Sequence, residues 1–132
     1  MFRKFGLLGL AVLVLLLATT GILAGEQTLS LNGNDQNDTW FISGEASLIL
    51  NGFDLSRFSV ALPAAIDQVS IAVDRAVPGQ QIDVVVYQDA NGGSPVDATL
   101  VGRTTVDITG AGVFTATFPT PLTVTQNAVW AG

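Results

Sequence analysis

The chain has 132 residues, a formal net charge of −6, and neither cysteine nor histidine. These two absences exclude Ser-His-Asp and Cys-His catalysis, metal sites built on His or Cys, and disulfide bonds. Beyond residue 25, three arginines face eleven acidic residues, so the remaining 107 residues carry a net charge of −8. Residues 26–132 therefore lack the basic patch that a nucleic-acid-binding protein carries. Their number suits a single domain.

The first 25 residues have the layout of a secretory signal peptide. Two basic residues near the start precede an apolar run over residues 7–18, and small residues follow. This order predicts a hydrophobic signal helix over residues 1–25, with cleavage after Ala24 or Gly25.

The alternative for this segment is an uncleaved membrane anchor. Residues 5–25 carry no charge, and about 20 apolar residues can span a bilayer. Because positive charge stays on the cytoplasmic side, both alternatives place residues 26–132 outside the cytoplasmic membrane, secreted or anchored. Membrane contact is then expected only through residues 5–25, and only if the signal is not cleaved.

Residues 26–132 have the composition of a β-sheet protein. Thirty of these 107 residues are Val, Thr or Ile, whereas lysine is absent and glutamate occurs only at Glu26 and Glu45. Branched side chains suit strands, and exposed helix faces usually carry Lys and Glu. The sequence therefore predicts an all-β domain, an antiparallel β-sandwich, over residues 26–132.

Alternation of apolar and polar residues predicts the individual strands. Ile82–Tyr87 is apolar on both faces, which predicts a central strand. Asp54–Leu62 has an alternative as a short helix, capped by Asp54 and ended by Pro63. In chain order the predicted strands are Thr28–Leu31, Ala46–Leu50, Arg57–Leu62, Asp67–Asp74, Ile82–Tyr87, Thr104–Ile108, Val113–Phe118, Leu122–Thr125 and Ala128–Trp130.

Glycine-containing pairs and triplets between these runs predict the turns. They are Asn32-Gly33, Asn51-Gly52, Pro78-Gly79, Asn91-Gly92-Gly93 and Gly110-Ala111-Gly112.

The pattern of the last residues, Ala128–Gly132, predicts a strand without a closing turn. One interpretation is that the sheet continues beyond Gly132, so that the domain is truncated at its C-terminus; the alternative is that the last strand simply ends there.

Oxygen-bearing side chains cluster in residues 32–38, which makes Asn34, Asp35 and Asp38 candidates for a structural calcium site. Their spacing does not match an EF-hand loop, and a solvated turn rich in Asn and Asp is the alternative. A second polar loop, Asp89–Gly93, is better explained as a tight hairpin than as an ion site. No other cofactor is expected.

The carboxylates do not predict catalysis. A glycosidase needs two acids that flank a sugar, but most aspartates fall at strand ends or at outward positions, as a solvated surface requires. We therefore expect no catalytic residues and no enzymatic activity.

Aromatic rings can stack on sugars, so Trp40, beside the polar loop, and Tyr87, at a strand end, are candidate ligand-stacking residues. The alternative is that each ring fills the core.

Residues 66–121 combine a Pro-Gly connection, a V-V-Y strand, a D-A-N-G-G-S-P turn and an F-T-A-T-F strand, and V-W-A-G follows at 129–132. This order resembles the jelly-roll-like β-sandwich domains of large secreted bacterial proteins, whose architecture is related to galactose-binding-like and carbohydrate-binding accessory modules. The resemblance implies the fold and transfers no ligand residue. We expect a structural or interaction module of a secreted or cell-surface protein, acting as a spacer or contact domain, and the sequence does not say whether its partner is a protein or a carbohydrate. The alternative is a carbohydrate-binding module that uses exposed aromatics.

Overall fold

The computed structural model describes residues 25–30, 48–74 and 79–132. In this part of the chain all regular structure is strand or short 3-10 helix, which confirms the all-β prediction. The strands are β1 Asn51–Asp54, β2 Ala64–Val73, β3 Gln80–Asp89, β4 Thr99–Ile108, β5 Gly112–Val124 and β6 Ala128–Ala131, and the 3-10 helices are Leu55–Phe58 and Pro95–Asp97.

The predicted signal segment lies outside the described residues, except for Gly25. Within the described ranges, no helix is both long enough and apolar enough to cross a membrane. Residues 28–30 and 48–50 are irregular, so the two predicted strands that include them are wrong at those positions.

The strands form two antiparallel sheets. One has four strands in the order β1-β6-β3-β4, and the other pairs β2 with β5. Strand β3 lies between β6 and β4, which confirms the central strand predicted from its apolar sequence. Its residues Val84, Val85 and Val86 are all buried, because a central strand is covered on both faces.

The hydrophobic core draws side chains from both sheets. Val86 of β3 and Val129 of β6 belong to the same buried cluster as Phe118 and Val124 of β5. The alternation predicted for β2 is also confirmed, since Val69, Ile71 and Val73 are partly buried between exposed neighbours. Alternate residues of these strands therefore face one shared core.

Strand β5 is longer than predicted, because the two predicted strands 113–118 and 122–125 are largely one. Its register against β2 shifts between the pairs Ile66↔Leu122 and Gln68↔Thr117. This bulge contains Pro119, which has no backbone N–H to donate to a ladder. A bulge therefore allows one continuous strand to pass through this proline, where the sequence predicted two separate strands.

The predicted strand Arg57–Leu62 is wrong, and the short-helix alternative describes the start of this segment. The 3-10 helix Leu55–Phe58 begins after Asp54, whose carboxylate accepts a hydrogen bond from the Ser56 backbone N–H at 3.1 Å. Ser59 ends the helix in the left-handed conformation. Local capping therefore prevails over the period-two pattern here, because the cap supplies partners for backbone groups that a strand edge would leave unpaired.

The predicted turn at Asn51-Gly52 is also wrong, because both residues lie within β1. A Cβ atom at Gly52 would lie 2.7 Å from the nearest ring carbon of Trp130. Glycine is therefore needed here for close approach of a ring, not for a positive φ. By contrast, Gly92 and Gly93 have φ values of 69° and 92°, which confirms the turn predicted after β3.

Candidate binding cleft

A cleft of about 430 Å³ opens where the end of β1 and its 3-10 helix meet the connection between β3 and β4. The cleft is lined by aromatic residues and by glycines, which have no side chain. Its rim carries one carboxylate and one guanidinium among the described residues. The lining includes Gly52, Asp54, Arg57, Phe58, Gly93 and Trp130.

Trp130 is positioned by the register of three strands. It pairs with Gly52 on β1 and with Tyr87 on β3, so the three residues share the face of the sheet opposite the core. The six-membered ring of its indole packs against Gly52. Its Nε1 is buried and has no hydrogen-bond partner among the described residues. Because Nε1 lies on the opposite side of the indole from those ring carbons, it is on the side away from β1.

The rim of the cleft is organised by the cap of the 3-10 helix. The Asp54 carboxylate accepts a hydrogen bond from the Ser56 hydroxyl at 2.6 Å, and its other oxygen lies 3.3 Å from Arg57 Nε. The hydroxyl hydrogen bond from Ser56 is the main reason that the pKa of Asp54 is lowered, with smaller contributions from the Ser56 backbone N–H and the Arg57 charge, while desolvation opposes the shift. Asp54 is therefore held as a carboxylate.

The rest of this sheet face is mixed in character. Tyr87 is half-buried beside Trp130, and its partner on β4, Leu100, is exposed. On the same two strands Arg103 lies 4.0 Å from the Asp83 carboxylate, with both side chains exposed. Two arginines thus lie next to aspartates on this face, one at the cleft and one on the edge strand.

The connection after β3 forms the other wall of the cleft. Asp89, the last residue of β3, is only 4% exposed, and one of its carboxylate oxygens accepts a hydrogen bond from the Asn91 backbone N–H at 3.0 Å. The Asn91 side chain in turn donates to Asp97 at 2.8 Å. These bonds hold together a connection that spans residues 90–98, which is longer than the tight hairpin predicted from the sequence.

The structure brings together few of the predicted site residues. Tyr87 lies beside Trp130 but does not line the cleft. Trp40 and the calcium candidates Asn34, Asp35 and Asp38 lie outside the described residues. Among the described residues, no three Asp, Glu, His or Cys side chains form a metal-binding group. The aspartates predicted to lie outward are exposed, namely Asp67, Asp74, Asp83, Asp97 and Asp107.

Trp130, Phe53 and Phe58 line the cleft, and the sequence singled out none of them as a ligand contact; Trp130 is the one that β1 and β3 both position. In the sequence, the V-W-A-G motif that contains Trp130 indicates the fold and no ligand contact. The signal that could have identified Trp130 is its contact with Gly52. That contact is not visible in the sequence, because Gly52 lies far from Trp130 along the chain and its sequence predicts a turn. Comparisons with protein-family models, with curated proteins and with solved structures find no match to this chain.

Proposed function

We propose that residues 26–132 form a non-catalytic interaction module of a secreted or cell-surface protein, folded as an antiparallel β-sandwich of jelly-roll type behind an N-terminal export signal. The shared core supports the sandwich arrangement. In addition, a Cβ atom at Gly102 of the four-stranded sheet would lie 2.5 Å from the Leu122 side chain of the two-stranded sheet. Such contact is expected where two sheets stack face to face.

The observation that carries the proposal is the cleft beside Trp130. Concave sites with an apolar lining and a few converging polar groups are the usual places where proteins bind ligands. Here Trp130 and Arg57 line the same space. A partner could bury apolar surface on the ring and place a polar group at the rim.

The chemistry of the rim favours binding over hydrolysis. Asp54 is the one carboxylate among the described lining residues, and Ser56 and Arg57 already bind it. A general acid for glycoside cleavage needs a raised pKa and a second carboxylate across the sugar. The pKa of Asp54 is lowered instead, which suits a fixed, charged contact group.

A carbohydrate is the second candidate, now with Trp130 as the stacking residue. The rings of Trp130 and Phe58 line the cleft together with Asp54 and Arg57. The apolar face of a pyranose packs on an aromatic ring, while its hydroxyls bond to carboxylate and guanidinium groups. This combination favours a sugar over a purely apolar ligand.

A glycan array separates the two candidates. The probe is the exported product of the full chain, with Arg57→Ala as the cleft variant and Arg103→Ala as its matched control. Both arginines are exposed and lie beside an aspartate, but only Arg57 lines the cleft. Sugar binding predicts that Arg57→Ala weakens binding by about tenfold or more, the value of one charged hydrogen bond. Silence across all glycans, or equal loss in Arg103→Ala, rejects the sugar.

A protein partner is tested with the same two positions. A photo-crosslinking residue at position 57 should capture one defined partner when the full chain is exported by its own host. The same residue at position 103 should not. Capture from neither position, or equal capture from both, contradicts the proposal that the cleft is the contact surface.

A further inference from the structure

We propose that two copies of this chain form a symmetric dimer in which the free edge of β2 pairs with the same edge of the second copy. The pairing uses residues 68–73 and joins the two-stranded sheets of both copies into one sheet of four strands. The cleft belongs to the other sheet, so this inference does not depend on the function proposed for the cleft. Three properties of β2 lead to it: an unprotected edge, a half-covered apolar row, and a self-complementary order of residues.

The first property is the unprotected edge. Among the described residues β2 has one strand neighbour, β5, so its other edge presents backbone N–H and C=O groups without a ladder partner there. Proteins usually protect such edges with charges, prolines, bulges or short length. The bulge between Ile66 and Gln68 protects the start of β2. From residue 68 to residue 73 the strand pairs regularly with β5 and contains neither a charge nor a proline.

The outer edges of the other described strands carry such protection. Strand β4 has the exposed charges Arg103 and Asp107, β5 contains Pro119 and Pro121, and β1 has only four residues. In each of them a charge, a proline or short length opposes pairing with another strand. Residues 68–73 of β2 have none of these features.

The second property is the half-covered apolar row of β2. Val69, Ile71 and Val73 face the core but remain partly exposed, whereas Ala116 and Phe118 of the neighbouring β5 are buried. Strand β2 therefore lies at the border of the core. A further strand beside it would cover this row and remove its apolar surface from water, which favours association.

The third property is the order of residues, which makes a second copy of β2 the strand that fits. In an antiparallel pair with its two-fold axis at Ile71, Val69 of one copy lies opposite Val73 of the other, and Ser70 lies opposite Ala72. Apolar side chains then meet on the core side, and small side chains meet on the outer side. An interface with two-fold symmetry requires this kind of self-complementary surface.

The distribution of charge also allows two copies to meet at this edge. Each copy carries a net charge of −8 beyond residue 25, so two copies repel each other wherever acidic residues meet. Residues 68–73 are uncharged. In the register centred on Ile71, neither Asp67 nor Asp74 lies opposite an acidic residue. The two edges therefore approach without placing like charges opposite each other.

We expect the dimer to be weak. Pairing of two six-residue edges buries less than about 1,200 Å², the lower end of the range for stable interfaces, so monomer and dimer should exchange in a concentration-dependent equilibrium. The pairing leaves the cleft of each copy open. If the cleft binds a ligand on a surface, as proposed above, two clefts in one dimer raise the apparent affinity for that surface.

Sedimentation equilibrium of the purified protein tests the dimer. The wild type should change from monomer to dimer as its concentration rises. Ser70→Glu combined with Ala72→Glu places like charges opposite each other across the axis, and we expect Kd to rise about tenfold or more. Val113→Glu combined with Thr115→Glu is the matched control, because these exposed residues are the β5 partners of Ala72 and Ser70. It adds the same charge to the same face, one strand away from the edge.

A charge swap tests the register. Ser70→Lys combined with Ala72→Lys should also weaken the dimer, but an equimolar mixture with the Ser70→Glu and Ala72→Glu variant should form a one-to-one heterodimer, since opposite charges then face each other. Hydrogen exchange of the wild type supplies a measurement without substitution. Alternate amides of residues 68–73 should gain protection as the concentration rises, and this result decides the outcome if the variants do not fold.

The proposal is overturned if the folded wild type is monomeric at every concentration, which would leave this edge to a strand of another kind. It is also overturned if the control variant dissociates the dimer as fully as Ser70→Glu with Ala72→Glu does, if the mixture of oppositely charged variants stays monomeric, or if the amides of residues 68–73 gain no protection.

Discussion

At the scale of single residues, Gly52 shows how one missing side chain creates part of the cleft. A Cβ atom there would lie within 3.0 Å of three ring carbons of Trp130. We expect Gly52→Ala to displace the ring and to lower the free energy of unfolding by about 1–3 kcal/mol, the usual cost of overpacking. Urea unfolding of the purified protein measures this loss.

The control for this prediction is Gly110→Ala. A Cβ atom at Gly110 meets nothing within 4 Å, and the residue does not have a left-handed φ. The free energy of unfolding should therefore change by less than about 0.5 kcal/mol, as for most surface substitutions. Equal losses in the two variants would show that Trp130 does not pack against Gly52.

At the scale of elements, the cap of the 3-10 helix Leu55–Phe58 controls the charge at the rim of the cleft. The hydrogen bond from the Ser56 hydroxyl is the largest single cause of the lowered pKa of Asp54. We expect Ser56→Ala to raise this pKa toward its ordinary value. An NMR titration of the Asp54 carboxyl carbon measures the shift. An unchanged pKa in Ser56→Ala would contradict this assignment.

The sign of the accompanying pH dependence follows from the lowered pKa. A carboxyl whose folded pKa lies below its unfolded pKa stabilises the folded state above the unfolded value. This contribution is lost as the pH falls through the folded pKa. Because Asp54 is exposed, the effect on stability is small, and Ser56→Ala should make it smaller still.

The elements also show where sequence patterns succeed. Strand β3 was predictable because a continuous apolar run reflects burial on both faces. Strand β2 was predictable because alternation of apolar and polar residues reflects burial on one face. The segment from Arg57 to Leu62 was not, since its local cap at Asp54 competes with an equally regular alternation. The continuous β5 was missed because Pro119 reads as a break, and a bulge depends on a partner strand that the local sequence does not reveal.

At the scale of the whole molecule, the all-β class followed from composition, but the cleft did not. It depends on three segments that are distant in sequence, namely β1 with its 3-10 helix, the connection after β3, and β6. Trp130 meets Gly52 only because β6 lies between β1 and β3. The order of strands in a sheet is set by long-range pairing, so alternation within one strand carries no information about it.

We propose that the two sheets pack face to face around one core. The most direct test is an NMR measurement of contacts between Leu122 of β5 and Gly102 of β4, which belong to different sheets. We predict strong cross-peaks between the Leu122 methyl groups and the Gly102 α-protons, because the two residues are in close contact. Absence of these peaks, in a spectrum that shows the pairing of Val86 with Gly102 within one sheet, would contradict the claim.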